Sequence, residues 1–198
     1  MNSSETKRTF AVALTFPETV EDKLLRLGED YRDYMRYEIV PHMTLVYPFV
    51  PVFSLFLVKE QLENVARRTS QFKIVLNGIE YFEGEHNVAY AALESKRSVR
   101  KLHADIIRSL DGLIKELDTD GIYNFENFIP HVTIANGVPV KILELMKKRL
   151  SGYALRYEHK VADFSLFEEE NHNWRINQVF DLTGGRTGRY WRLRPRRR

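Results

Sequence analysis

The chain has 198 residues, 43% of them hydrophobic, a formal net charge of +3 and no cysteine. That length suits one medium domain or two small lobes sharing a core, and the lack of cysteine excludes disulfide staples, thiolate metal sites and cysteine nucleophiles. Its longest apolar stretches, such as residues 10–16, are too short for a membrane span or a secretory signal, so a cytoplasmic protein is expected, a monomer by default.

In chain order, residues 10–16 read as an opening strand, and Pro17 to Thr19 start a helix with Thr19 as its cap. Val20, Leu24, Leu27, Tyr31 and Tyr34 recur at helical spacing up to about Tyr37. A strand follows over 39–47 and is broken by Pro48 to Pro51, and a second helix over 58–69 has Leu62, Val65 and Ala66 on one face. Residues 72–82 and 88–93 form a hairpin around 83–87, where His86 is a polar loop residue. The spacing of Val99, Leu102, Ile106, Leu110, Leu113 and Leu117 predicts a helix over 98–117, with His103 beside the apolar stripe in a structural role.

A strand over 128–136 and a helix over 139–150 come next, then strands over 153–167 and 174–182 that pair around 168–173. The acids of that last loop are expected to be solvated and to hold no metal, and His159 and His172 show no partner. The order of elements nearly repeats, which predicts two related α+β halves facing one another across a groove. Residues 184–198 carry seven arginines and no acid, and the remaining residues, 1–183, then carry −4. The expected organisation is one domain over 1–183 followed by a basic tail, whose Tyr190 and Trp191 either stack on nucleic-acid bases or pack on the body.

Chemistry is concentrated in a tripeptide that occurs twice, in Pro41-His42-Met43-Thr44-Leu45 and Pro130-His131-Val132-Thr133-Ile134. Side chains two apart on a strand share a face, so each strand offers one imidazole beside one hydroxyl while the residues between them point the other way. Each preceding proline biases the residue before it toward extended geometry and sets the entry into the strand. Imidazoles titrate near neutral pH, so one can accept a proton while the other donates one. In-line displacement at phosphorus needs both transfers, on opposite sides of the phosphate, and threonine hydroxyls can hydrogen-bond its non-bridging oxygens. No zinc-ligand spacing, nucleophile elbow or glycine-rich phosphate loop competes with this reading. Tyr47 and Phe49 follow the first motif as candidate base-stacking residues, although simple alternation puts Tyr47 on the face opposite His42.

With these paired motifs the chain resembles the two-histidine (2H) phosphoesterase superfamily, and more narrowly its 2'-5' RNA ligase-like branch. The resemblance covers most of residues 10–182, including Val46 to Phe49 and the stretch from Phe72 to Leu93. It implies an α+β, bilobal fold with pseudo-twofold symmetry, antiparallel sheets lining a central cleft and helices outside. It implies His42 and His131 as the acid–base pair, Thr44 and Thr133 as phosphate-binding residues, no metal and no cofactor. The implied activity is hydrolysis of 2',3'-cyclic phosphate or 2'-5' phosphodiester bonds in RNA ends or nucleotides, with the basic tail free to contact nucleic acid. An RNA-end-binding module without turnover, a 2'-5' RNA ligase and a phosphodiesterase of another cyclic nucleotide stay open. Many relatives carry a cation shortly after the second motif where this chain has Ala135-Asn136-Gly137, so another is needed, with Arg36 or a tail arginine as candidates.

Overall fold

The computed structural model describes residues 8–36, 40–117, 121–171 and 173–185; Tyr37, Ile39, His172 and the tail from Arg186 onward lie outside these. Alternating burial shapes the strands β1 (Phe10–Thr15), β2 (His42–Pro51), β3 (Phe72–Phe82), β4 (Asn87–Leu93), β5 (Ile114–Glu116), β6 (Val132–Val138), β7 (Arg156–Val161), β8 (Asp163–Glu170) and β9 (Asn173–Asp181). Four amphipathic helices alternate with them: α1 (Glu18–Gly28), α2 (Leu55–Arg68), α3 (Arg97–Leu110) and α4 (Val140–Leu150). The strands form two antiparallel sheets, one in the order β5-β2-β1-β8-β9 and the other β6-β4-β3-β7. This is the expected α+β architecture, with helices on the outer faces.

The helices exchange partners between the sheets. α1 connects β1 to β2 of the first sheet yet packs on β6 of the second, and α3 leads from β4 of the second sheet to β5 of the first and packs on β2 of the first. α2 lies beside α3 and α4 against β4. Each motif strand is therefore backed by a helix that enters from a strand of the other sheet, and the core is continuous: Met43, Leu45 and Val46 belong to the same buried cluster as Val132, Ile134 and Ala135. Gly28, the last residue of α1, permits the close approach to β6, because a Cβ there would stand 2.5 Å from the Ile134 carbonyl oxygen.

Several boundaries differ from the sequence reading. Thr19 does not cap α1; Pro17 takes the cap position without a side-chain bond, and the chain tightens into a 3-10 segment over Glu29–Tyr34. Pro48 does not end β2, because it falls at an irregularity in the pairing with β1, while its carbonyl accepts from the Leu117 amide. β2 then continues to Pro51 alongside β5. α2 begins earlier than expected, at Leu55, with the Ser54 hydroxyl accepting from the Phe56 amide at 3.1 Å. α3 stops at Leu110, just before Gly112 adopts φ +70, and the apolar residues that prolong its spacing belong to β5 and its flanks. The long strand expected over 153–167 is two strands in different sheets, β7 beside β3 and β8 beside β1. Only β8 forms the expected hairpin with β9.

Candidate active site

The motif strands are neighbours across the sheet boundary, with β2 in contact with β6. Pro41 and Pro130 are buried, and each directs the chain so that the following histidine folds back on the residue before the proline. His42 Nδ1–H donates to the Val40 carbonyl at 2.8 Å, and His131 Nδ1–H donates to the Ile129 carbonyl at 2.7 Å. A carbonyl can only accept, so both neutral rings carry their proton on Nδ1 and keep Nε2 as the basic nitrogen. The same two-residue backbone device occurs in both halves.

Burial lowers the pKa of both histidines, only partly opposed by the backbone hydrogen bonds. His131 is pushed down further by the nearby His42 and by Lys96. The influence of His42 on His131 puts the two imidazoles within electrostatic reach, as a two-histidine site requires. Thr44 and Thr133 are half-buried; Thr44 sits opposite Ala13 of β1, and Thr133 opposite Tyr90 of β4.

The surroundings of the two rings differ. His131 lies edge-on to Phe82 at 5.1 Å between centroids and 5.2 Å from Tyr90, while Phe82 and Tyr90 stack at 4.3 Å. The Tyr90 hydroxyl donates to Glu80 at 2.9 Å, and burial together with that bond keeps it protonated well beyond its usual range. Sequence reading did not single out Phe82, Tyr90 or Lys96. Cross-strand register holds the signal for Tyr90, because Glu80, Tyr90 and Thr133 form a row across three strands, and Phe82 lies two residues along β3 from Glu80.

Lys96 precedes the first turn of α3, just past the end of β4, and is half-buried near His131. Arg36, the cation expected for phosphate, is elsewhere: its amide donates to the Asn136 carbonyl and its guanidinium to His86 Nε2 at 3.4 Å, toward the far end of β6. At about 3.4 Å per residue, that end is roughly 17 Å along the strand from His131.

The structure separates the two aromatic candidates. Between Ala13 opposite Thr44 and Val12 opposite Val46, β2 contains an extra residue, so Leu45 and Val46 both enter the core. The alternation is reset, and Tyr47 emerges on the face of His42 and Thr44, with its ring 5.5 Å from that of Tyr123. Phe49 is corrected: it is 0% exposed and packs against Phe10 in the core, where no base can reach it. The acids of the last hairpin hold arginines, with Glu168 contacting Arg8 and Arg175 and Glu170 contacting Arg175.

Comparison with known proteins agrees with this fold. Residues 16–173 match the model of a family described as the 2'-5' RNA ligase superfamily. The chain is 26% identical over 176 residues, covering 87% of it and 97% of the relative, to the Oceanobacillus iheyensis protein named "Putative phosphoesterase OB1230". It is also 26% identical over 174 residues, 86% of this chain and 95% of the other, to a protein of similar name from Bacillus cytotoxicus. Among solved structures, TT0787 of Thermus thermophilus superposes with a TM-score of 0.63 at 20% identity, covering 89% of this chain and 98% of that one. LigT of E. coli, solved with 3'-AMP, superposes with a TM-score of 0.60 at 12% identity, covering 89% and 99%. Both structural likenesses are likenesses of fold.

Proposed function

This chain belongs to the 2'-5' RNA ligase superfamily and is a phosphoesterase of that group, and from that premise we propose that it hydrolyses 2',3'-cyclic phosphates on RNA ends or nucleotides by proton transfer between His42 and His131. The observation that carries this reading is the matched pair of imidazoles, each locked by Nδ1 to the carbonyl two residues back and each keeping Nε2 for chemistry.

A water molecule attacks phosphorus opposite the departing ribose oxygen. One Nε2 takes the proton of the water as the new P–O bond forms, and the Nε2–H of the other imidazole protonates the ribose oxygen as the old P–O bond breaks. The product is a phosphomonoester with a free neighbouring hydroxyl, and the next proton exchange with water resets the pair. Thr44 and Thr133 donate to the non-bridging oxygens, where charge accumulates. The route asks nothing of a metal.

Electrostatics favours one division of roles. Lys96 lies near His131 and disfavours its protonated form, and on that ground His131 is assigned the base and His42 the acid in hydrolysis. Lys96 also supplies the cation missing after the second motif, and Tyr47 with Tyr123 offers an aromatic wall for a base beside His42.

The test is turnover of 2',3'-cyclic nucleotides and cyclic-ended RNA in EDTA. Wild-type protein is expected to release the phosphomonoester, and His42→Ala and His131→Ala each to lower the rate by about 10²- to 10⁴-fold. Full activity in both variants contradicts the reading. Binding of RNA ends without turnover of any substrate points instead to an end-binding module.

A further inference from the structure

A third histidine lies between the motifs without facing the cleft. His103, on α3, is 1% exposed, and it uses both ring nitrogens. Its Nδ1–H donates to the Leu45 carbonyl at 2.7 Å, and its Nε2 accepts the Phe125 amide at 3.0 Å. An amide can only donate, so this ring too is neutral with its proton on Nδ1. The ring stacks on Phe128 with centroids 3.9 Å apart and planes at 10°.

Both partners are unusual positions. Leu45 is the extra residue of the β2 bulge, next to Thr44, and the strand pairing with β1 skips it. Phe125 has φ 54, a left-handed backbone that is strained for a non-glycine residue and persists only when its surroundings hold it. Beyond Phe125 the chain leads through Phe128 and Ile129 to His131. The same helix grips that path a second time, through Arg100 Nε–H donating to the Phe128 carbonyl at 3.0 Å. One imidazole thus binds the irregularity in the first motif strand on one side and the strained entry to the second motif on the other.

We infer that His103 is a positioning residue that sets the first motif strand and the approach to His131 at the separation the two-histidine site needs. It acts through Leu45 and Phe125 and touches no reacting group. The bulge it supports also turns Tyr47 toward the cleft, and Phe125 follows closely on Tyr123, the ring that meets Tyr47. The kinetic part of this inference rests on the two-histidine reading; the structural part does not.

The test compares three variants. His103→Phe keeps the stack on Phe128 and removes both hydrogen bonds, His103→Asn keeps a donor near the Nδ1 position, and His103→Gln keeps an acceptor near the Nε2 position. For folded His103→Phe the expected result is a fall in kcat of about tenfold to a hundredfold with KM changed less than about threefold, because misplacement of catalytic groups costs rate more than ground-state binding. Asn and Gln should each recover part of the loss. Should His103→Phe fail to fold, the Asn and Gln variants carry the same comparison against wild type.

Imidazole NMR of the wild type should show His103 with its proton on Nδ1, and the His42 and His131 ring signals should both shift in the variants. Wild-type kcat in a variant lacking both bonds, unshifted motif-ring signals, or a His103 proton on Nε2 would overturn the inference. If His42→Ala proves fully active, the two-histidine reading fails, while the ring signals still decide the role of His103.

Discussion

The two motif strands repeat one local device in different settings. β2 is an inner strand, paired on both sides and bulged at Leu45, whereas β6 is the edge of its sheet. Both histidines bind the carbonyl two residues back, yet His131 alone sits against the stacked Phe82–Tyr90 pair and feels Lys96. The lesson is that the shared backbone bond leaves Nε2 of each ring free for the proposed chemistry, and the unlike neighbours are what distinguish one ring from the other.

That comparison breaks most visibly on substrates with different leaving groups. On a 2',3'-cyclic nucleotide, His42→Ala and His131→Ala should be similarly impaired, by about 10²- to 10⁴-fold. On a phosphodiester with an activated aryl leaving group, which needs no protonation, His42→Ala should recover most of its rate and His131→Ala should not. Steady-state rates on the two substrates decide it, and the reverse pattern would exchange the roles of acid and base.

Threonine to valine is the next largest change. Thr44→Val and Thr133→Val keep shape while removing one donor each, and each should lower kcat by about 10- to 10²-fold, toward the lower end of losses seen for single oxyanion donors. Equal losses would support symmetric roles; a loss at only one would place the phosphate nearer that strand.

Lys96→Met tests the asymmetry through pH. Both histidines titrate below their ordinary value of 6.5, so the bell of kcat/KM for the wild type should be centred on the acid side of pH 6.5. Removing the Lys96 charge relieves His131, so the limb it controls should move toward higher pH while KM rises several-fold. An unmoved profile would remove Lys96 from the account.

The smallest expected effect is on stability. Burial lowers the pKa of His42, His103, His131 and His159 in the folded chain. The unfolded state therefore binds more protons below about pH 6.5, and folding stability is complete above that pH and declines as pH falls toward the depressed values. Thermal unfolding at stepped pH should show Tm flat from pH 7 to 8 as far as these groups are concerned, and falling from pH 6.5 downward. His103→Phe should make the decline shallower.

Much of this site is legible in the sequence, because its alternation is local: His42 with Thr44, His131 with Thr133, and the prolines that precede them need no knowledge of distant contacts. What escaped depends on distant contacts. The placement of Tyr47 and Phe49 turns on a bulge at Leu45, whose spacing is set by pairing with β1 and whose carbonyl is held by a helix 58 residues later. α3 seemed longer because Leu113 and Leu117 keep its spacing after Gly112 has ended it. Lys96 carried no motif, since only the end of β4 and the start of α3 bring it to His131. The exchange of α1 and α3 between sheets likewise leaves no trace in periodicity, which reports that a face is buried and not what buries it.

The most direct test of the central claim is a crystal structure with phosphate or vanadate bound. The account predicts one anion between His42 Nε2 and His131 Nε2, within hydrogen-bond distance of both, with the Thr44 and Thr133 hydroxyls on its non-bridging oxygens. An anion held away from either histidine, or approached by Nδ1 in place of Nε2, would contradict it.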